Sequence, residues 1–249
     1  MQPSNKFIGK RREIFIIILF ISFHLLNASS FKLKDVIAVN DFLQGEEPSL
    51  QSILNNYYKA VAGSKEKLES IKTLESKGEI TFSTTDVKAN IVTKYQVPNK
   101  YISIVDFMGQ KVVQGFDGLK PISNLSALTQ DKEKEMREKK GIFTELYFAD
   151  ENSEYLGKSI LNGNEVHKIK FKDKDAETIV YFDAKTGLKV KEEILKTGEN
   201  MVKEYSDYKD FQGIKLATKI KTIVPGQIAT QTVDSYTINP VFSDKDFSL

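Results

Sequence analysis

Few side chains in this sequence have the type and spacing that chemistry requires. The chain has two histidines, His24 and His167, and no cysteine. A zinc site needs several nitrogen or sulfur ligands held together, and one histidine on a strand does not supply them. Glu192 and Glu193 are adjacent carboxylates within a predicted strand. Neighbouring side chains on a strand point to opposite faces, so this pair is not expected to share a substrate.

Other possible motifs are incomplete. Residues 157–159 read Gly-Lys-Ser, as at the end of a phosphate-binding loop, but Asn152 stands where that loop requires glycine. No serine lies in a Gly-x-Ser-x-Gly elbow. Asp173 and Asp175 lack the glycine and the distal glutamate of a calcium loop. We therefore predict no catalytic residue, no metal site, no cofactor and no enzymatic activity.

Apolar side chains at every second position dominate most of the chain. Residues 87–97, 166–172 and 214–224 show this alternation clearly, and Gly, Asn or Asp residues separate the runs. Such runs with short turns between them predict one antiparallel sheet with a polar outer face. About a dozen strands cannot remain flat, so the sheet must curl or close. We expect one mainly β domain over residues 49–249.

Two helices are predicted before the first strand. Ser49 is a suitable N-cap, and six apolar positions then recur at helical spacing as far as Val61. Gly63 ends the first helix because glycine adopts the left-handed conformation without strain. A short second helix within residues 64–72 directs Leu68 and Ile71 inward. These helices are expected to cover the apolar face of the sheet.

The segment 124–148 interrupts the strand pattern. Its first part alternates charge sign, with Glu133 four residues before Arg137, which predicts a solvated helix. Its second part contains the apolar side chains Phe143, Leu146, Tyr147 and Phe148, and we expect it to continue as helix. Two interpretations remain open: a crossover helix that plugs one end of the sheet, and a movable lid over an apolar cavity.

The N-terminus has the features of a secretory signal peptide. Four basic residues precede the apolar run 14–26, and Ala28, Ser29 and Ser30 form a small-residue exit. A membrane-spanning helix needs about 20 apolar residues, and this run is shorter. We predict a signal peptide over residues 1–30, cleaved near 28–30, and a lead-in linker over residues 31–48.

Charge makes a nucleic acid an improbable partner. The signal peptide carries four basic residues and Glu13, and removing its charge of +3 from the chain's +2 leaves the mature protein at −1. A near-neutral domain gains little from releasing counterions from a phosphate backbone. We expect a monomer that binds no nucleic acid.

Five short motifs, in order along the chain, resemble those of the LolA/LolB-like, outer-membrane lipoprotein-sorting family of Gram-negative bacteria. The helix end around Gly63 is similar to that family's "GG-x-K-E-x-L". The others are the Phe-Asp-Gly turn at 116–118, the Tyr-x-Asp-x-x-Thr-Gly-Leu hairpin at 181–188, the corner at 207–214, and the ending from Asn239 to Phe247.

The resemblance implies an unclosed β-barrel whose concave apolar face is covered by amphipathic helices. It also implies a periplasmic carrier whose partners are lipoprotein acyl chains or another lipid. The alternative is an envelope interaction or sensor module that uses the same fold to bind another envelope protein. The residues expected to line the apolar cavity and its lid are Leu54, Tyr57, Ile91, Tyr95, Phe143, Leu146, Tyr147, Phe148, Ile169, Phe171, Leu216 and Ile220.

Overall fold

The alternating segments form a single antiparallel sheet. The computed structural model describes residues 47–83, 87–125, 130–138, 141–173, 176–196 and 199–249. Residues 1–46, with the predicted signal peptide and nearly all of the lead-in, lie outside them. The strands are β1 Thr73–Phe82, β2 Lys88–Gln96, β3 Lys100–Phe107, β4 Gln110–Phe116, β5 Pro121–Ser123, β6 Ser153–Leu161, β7 Asn164–Asp173, β8 Ala176–Asp183, β9 Lys189–Lys196, β10 Glu199–Phe211, β11 Ile214–Val224 and β12 Gln227–Ile238.

The first and last strands along the chain, β1 and β12, pair in the middle of the sheet. The order is β5-β4-β3-β2-β1-β12-β11-β10-β9-β8-β7-β6, so β1 pairs with β12 and the edges are β5 and β6. The two edges are not hydrogen-bonded to each other, and the sheet is therefore not closed. The predicted mainly β fold with one large antiparallel sheet is confirmed.

The first two helices form as the sequence predicts. Helix α1, Leu50–Ala62, begins where the Ser49 hydroxyl accepts a hydrogen bond from the Ser52 amide at 3.1 Å. It ends at Gly63, whose φ of 87° favours glycine. Helix α2 is Lys65–Glu69, capped by the Ser64 hydroxyl. The side chains that α1 buries are Ile53, Leu54, Tyr57, Tyr58, Val61 and Ala62.

The segment 124–148 differs in part from its prediction. Helix α3, Gln130–Glu138, forms, and its Arg137 lies 2.9 Å from Glu133, which confirms that pairing. The helix is not solvated on all sides, however, because Met136 is only 3% exposed. The prediction that helix continues through residues 142–148 is wrong. Gly141 has a φ of 60°, Phe143 is extended, and only a 3₁₀ turn, Thr144–Tyr147, follows.

Three groups of apolar side chains pack on the sheet. The largest lies between α1, α2, residues 142–148 and the strands β1, β7, β8 and β11. A second lies on β1 to β4 around Ile80, Phe82 and Ile91. The third contains Ile102, Ile122 and Phe247, and the last of these belongs to a second 3₁₀ helix, Asp244–Phe247. Helix α1 is thus held to the sheet by the largest group.

Replacing Leu54 with alanine should lower the free energy of unfolding by about 2–5 kcal/mol, the usual cost of emptying an enclosed leucine site. Leu54 is 1% exposed and lies in the group that joins α1 to the sheet. The change is measured by urea unfolding, with Asn55→Ala on the exposed side of α1 as the control. An unchanged midpoint would show that α1 contributes little to stability.

Candidate binding site between the sheet and its covering elements

The candidate site is the region where α1 and residues 142–148 pack on the sheet. Leu54 and Tyr57 of α1, Phe143 and Phe148 of the covering segment, Ile169 of β7 and Leu216 of β11 are all buried in one group. Tyr95, Leu146 and Phe171 are partly buried against the same group. Nine of the twelve side chains predicted for the cavity and lid therefore lie in or against this region.

The remaining three predicted side chains lie elsewhere. Ile91 belongs to the second group of core residues, on β1 to β4. Ile220 is half-buried on β11. Tyr147 is 39% exposed, and its ring lies against Gly141, just before the covering segment.

The 142–148 segment is held to the site mainly by side chains. Phe148 stacks on Phe171 with ring centroids 4.5 Å apart. The Tyr58 hydroxyl donates a hydrogen bond to the Glu145 carbonyl at 2.8 Å. Within the segment, the Leu146 amide donates to Phe143 and the Phe148 amide donates to Glu145. These backbone hydrogen bonds are local, so the ladders of the sheet do not depend on them.

A buried charged cluster, which the sequence analysis did not predict, lies beneath this segment. It contains Lys189, Glu145, Glu192 and Tyr205, and we call it the Lys189 cluster. The Lys189 Nζ lies 2.5 Å from Glu145 Oε1 and 2.6 Å from Glu192 Oε1. The Tyr205 hydroxyl donates to Glu192 Oε2 at 2.6 Å, and its ring centroid lies 4.6 Å from Nζ. Glu145 is 1% exposed.

A β-bulge explains why Lys189 points inward. By simple alternation Lys189 would share a face with Lys191 and Glu193, which form an ion pair with each other on the other side of the sheet. In the observed register Tyr181 is opposite Lys191 and Phe182 is opposite Lys189, so Val190 is an extra residue on β9. An extra residue reverses the alternation. Lys189 therefore joins the buried face that Phe182 occupies.

Lys189 and Glu192 stay ionised although both are buried. Burial alone lowers the pKa of Lys189, but the carboxylates of Glu145 and Glu192 raise it well above its ordinary value. Burial alone raises the pKa of Glu192, and Lys189 together with Lys203 lowers it to about 2. Burial also raises the pKa of the Tyr205 hydroxyl. At neutral pH Lys189 and Glu192 thus form a buried ion pair, and the neutral Tyr205 phenol is a further donor to Glu192.

In the described part of the chain no group of three or more metal-binding side chains is close enough to hold a metal ion. His167 contacts the Tyr155 hydroxyl through Nδ1 at 2.9 Å, and burial lowers its pKa. A shallow recess beside the site is lined by Tyr95, Tyr101 and Ile142, among others. None of the described helices is both long and apolar enough to span a membrane.

Comparison with known proteins identifies the fold. No protein-family model matches the sequence, and no curated protein matches it. Among solved structures, a LolA superfamily protein from Nitrosomonas europaea is similar, with a TM-score of 0.55, 10% identity, and coverage of 80% of this chain and 97% of that one. A DUF1329 family protein from Desulfovibrio piger is similar with a TM-score of 0.54, 11% identity and the same two coverages.

Proposed function

We propose that this protein, which has a LolA-like fold, is an exported periplasmic carrier that binds lipid acyl chains and catalyses no reaction. The acyl chains are those of lipoproteins or of a similar lipid. The observation that supports the proposal is the large group of buried apolar side chains between the sheet, α1 and the short segment 142–148. Apolar enclosed surfaces with few polar groups are the usual form of a site for a greasy ligand.

In this proposal residues 142–148 act as a lid and not as a permanent plug. The segment contributes Phe143 and Phe148 to the buried group, and it is separate from the hydrogen-bonded ladders of the sheet. Its displacement would uncover apolar surface on β7 and beneath α1 without breaking a strand pair. An acyl chain that occupies this surface replaces the contacts that the phenylalanines make, and the free energy of opening is then offset by binding.

The acyl chain would contact the side chains that the lid covers. Phe171 on β7 loses its stacked partner when Phe148 leaves, and Tyr57 lies at the centre of the site with its ring centroid 5.2 Å from that of Phe182. The expected contact residues are Leu54, Tyr57, Tyr95, Ile169, Phe171 and Leu216, with Ile91 and Ile220 further along the sheet and Phe143, Leu146, Tyr147 and Phe148 on the lid.

The protein purified from its native host should contain extractable lipid. Native mass spectrometry should show a mass above that of the mature chain, and the excess should disappear after extraction with organic solvent. The control is the protein refolded from denaturant, which should show the bare mass. A bare mass in the native preparation, together with a co-purified envelope protein, would favour the interaction or sensor module over the carrier.

A further inference from the structure

Glu145 is the one charged residue among residues 142–148, and it is among the most deeply buried side chains of the protein. It lies two residues after Phe143 and three before Phe148, both of which are buried in the apolar group. The segment therefore presents a single carboxylate, flanked by apolar side chains, to the face of the sheet. The carboxylate of the segment is bound by Lys189, and its phenylalanines pack in the largest group of apolar side chains, which also includes those of α1.

We propose that the ligand which displaces this segment is a long-chain carboxylate, and that its headgroup takes the place of Glu145 on Lys189. The inference rests on the proposed function and, of the two ligand classes named there, selects the similar lipid, because the acyl chains of lipoproteins are linked as esters or amides and have no free carboxylate. The covering segment occupies the site as a ligand of that class would, with one anion and an apolar body.

Charge balance at Lys189 supports a carboxylate headgroup. When the segment leaves, Lys189 keeps Glu192 at 2.6 Å but loses the carboxylate at 2.5 Å. A lysine ammonium has three N–H donors, and a donor left unpaired in a buried site is costly. An incoming carboxylate restores the same arrangement of one cation and two anions. A cationic headgroup would repel Lys189, and an ester would offer only a weaker, neutral acceptor.

The surroundings of Lys189 also suit the start of an acyl chain. Its neighbour across the strands is Phe182, which is buried, and Tyr57 lies against Phe182 in the same apolar group. Tyr205 covers the ammonium with its ring at 4.6 Å. With a headgroup bound at Lys189, the first methylene groups of the chain would therefore contact apolar side chains, as the hydrocarbon part of a fatty acid requires.

The test measures how tightly delipidated protein binds, at pH 7.5, four amphiphiles that share one chain length and differ in headgroup. Palmitate, methyl palmitate, hexadecyl phosphate and hexadecyltrimethylammonium are measured by displacement of an environment-sensitive dye. We expect palmitate to bind at least tenfold more tightly than the ester, and the ammonium compound to bind most weakly. Glu145→Gln weakens the hold of Lys189 on the covering segment, so it should tighten the binding of palmitate and of the ester alike while keeping the preference for palmitate.

Variants of the cluster decide whether Lys189 is responsible. Because Lys189→Met alone leaves two buried carboxylates without a cation, the variant used is Lys189→Met, Glu145→Gln, Glu192→Gln, in which the cluster is neutral. It should bind acid and ester within twofold of each other. Lys191→Met, on the opposite face, should keep the preference.

Three outcomes would overturn the inference. Equal binding of acid and ester by the unmodified protein leaves the carrier function in place but removes the headgroup preference. Tighter binding of hexadecyl phosphate than of palmitate replaces the carboxylate with a phosphate. Binding of none of the four amphiphiles overturns the proposed function and the inference together.

Discussion

Replacing Lys189 with methionine should lower the free energy of unfolding by about 3–5 kcal/mol at pH 7, the usual cost of leaving a buried charge unpaired. Methionine keeps most of the side-chain volume, so packing changes little. Glu145 and Glu192, at 2.5 and 2.6 Å from Nζ in the unmodified protein, are both left without their cation. Urea unfolding followed by circular dichroism measures the change.

The matched control is Lys191→Met on the same strand. Lys191 lies 2.6 Å from Glu193, but both side chains are partly exposed on the opposite face, where ion pairs contribute about 0–1 kcal/mol. A loss at Lys189 no larger than the loss at Lys191 would contradict the buried-cluster interpretation. The neutral triple variant should recover much of the stability, because apolar or uncharged replacements of buried ion pairs are often neutral or stabilising.

The Lys189 cluster also predicts how the free energy of unfolding depends on pH. The pKa of Glu192 is lowered in the folded protein to about 2, below the roughly 4.3 of an unfolded glutamate. A lowered folded pKa contributes stability above the unfolded value, and that contribution is lost as the pH falls towards 2. The unmodified protein should therefore lose stability from pH 4.3 downwards, whereas Lys189→Met, which lacks the cation that lowers this pKa, should not lose stability over that range. The charged or titratable groups in and around the cluster, besides Lys189, are Glu145, Glu192, Lys203, Tyr57, Tyr205 and Tyr208.

Much of the fold could be predicted from local sequence patterns. Ile214 and Leu216 alternate with lysines on β11, and both are buried as the period of two requires. Ser49 and Gly63 bound α1 because a hydroxyl cap and a left-handed glycine are local requirements. The pairing of β1 with β12 could not be obtained in this way. These two strands are the first and last along the chain, and no turn connects them, so no local signal specifies their pairing.

The candidate site was predicted in its apolar part and missed in its charged part. The bulge at Val190 reverses the face of Lys189, and neither glycine nor proline marks it in the sequence. Glu145 was not singled out because it lies in a segment for which we predicted helix. The 3₁₀ turn that forms instead buries Phe143 and Phe148, five residues apart, on the same group. Neither the helical nor the strand period brings residues at that spacing together.

The double substitution Phe143→Ala, Phe148→Ala should open the lid while sparing most of the fold. Both side chains are buried, and an enclosed phenylalanine contributes about 3–5 kcal/mol relative to alanine. Because both belong to one short segment outside the strand ladders, the loss is limited to the free energy of local opening. Amide exchange at positions 146 and 148, whose hydrogen bonds lie within the segment, should accelerate at least tenfold.

Phe182→Ala is the matched control for this lid, because Phe182 is a fully buried phenylalanine of the same apolar group but belongs to β8. The stability lost in Phe182→Ala cannot be confined to a local opening, because β8 is part of the sheet. The substitution should weaken the whole protein by about 3–5 kcal/mol and accelerate the slowest amides of β11, Ile214–Val224, which exchange only through global unfolding. The double variant should accelerate those amides by no more than it accelerates the amides of the lid, because its loss is capped at the free energy of local opening. If instead it accelerates β11 as much as Phe182→Ala does, residues 142–148 are part of the permanent core, and the interaction module becomes the better account of the fold.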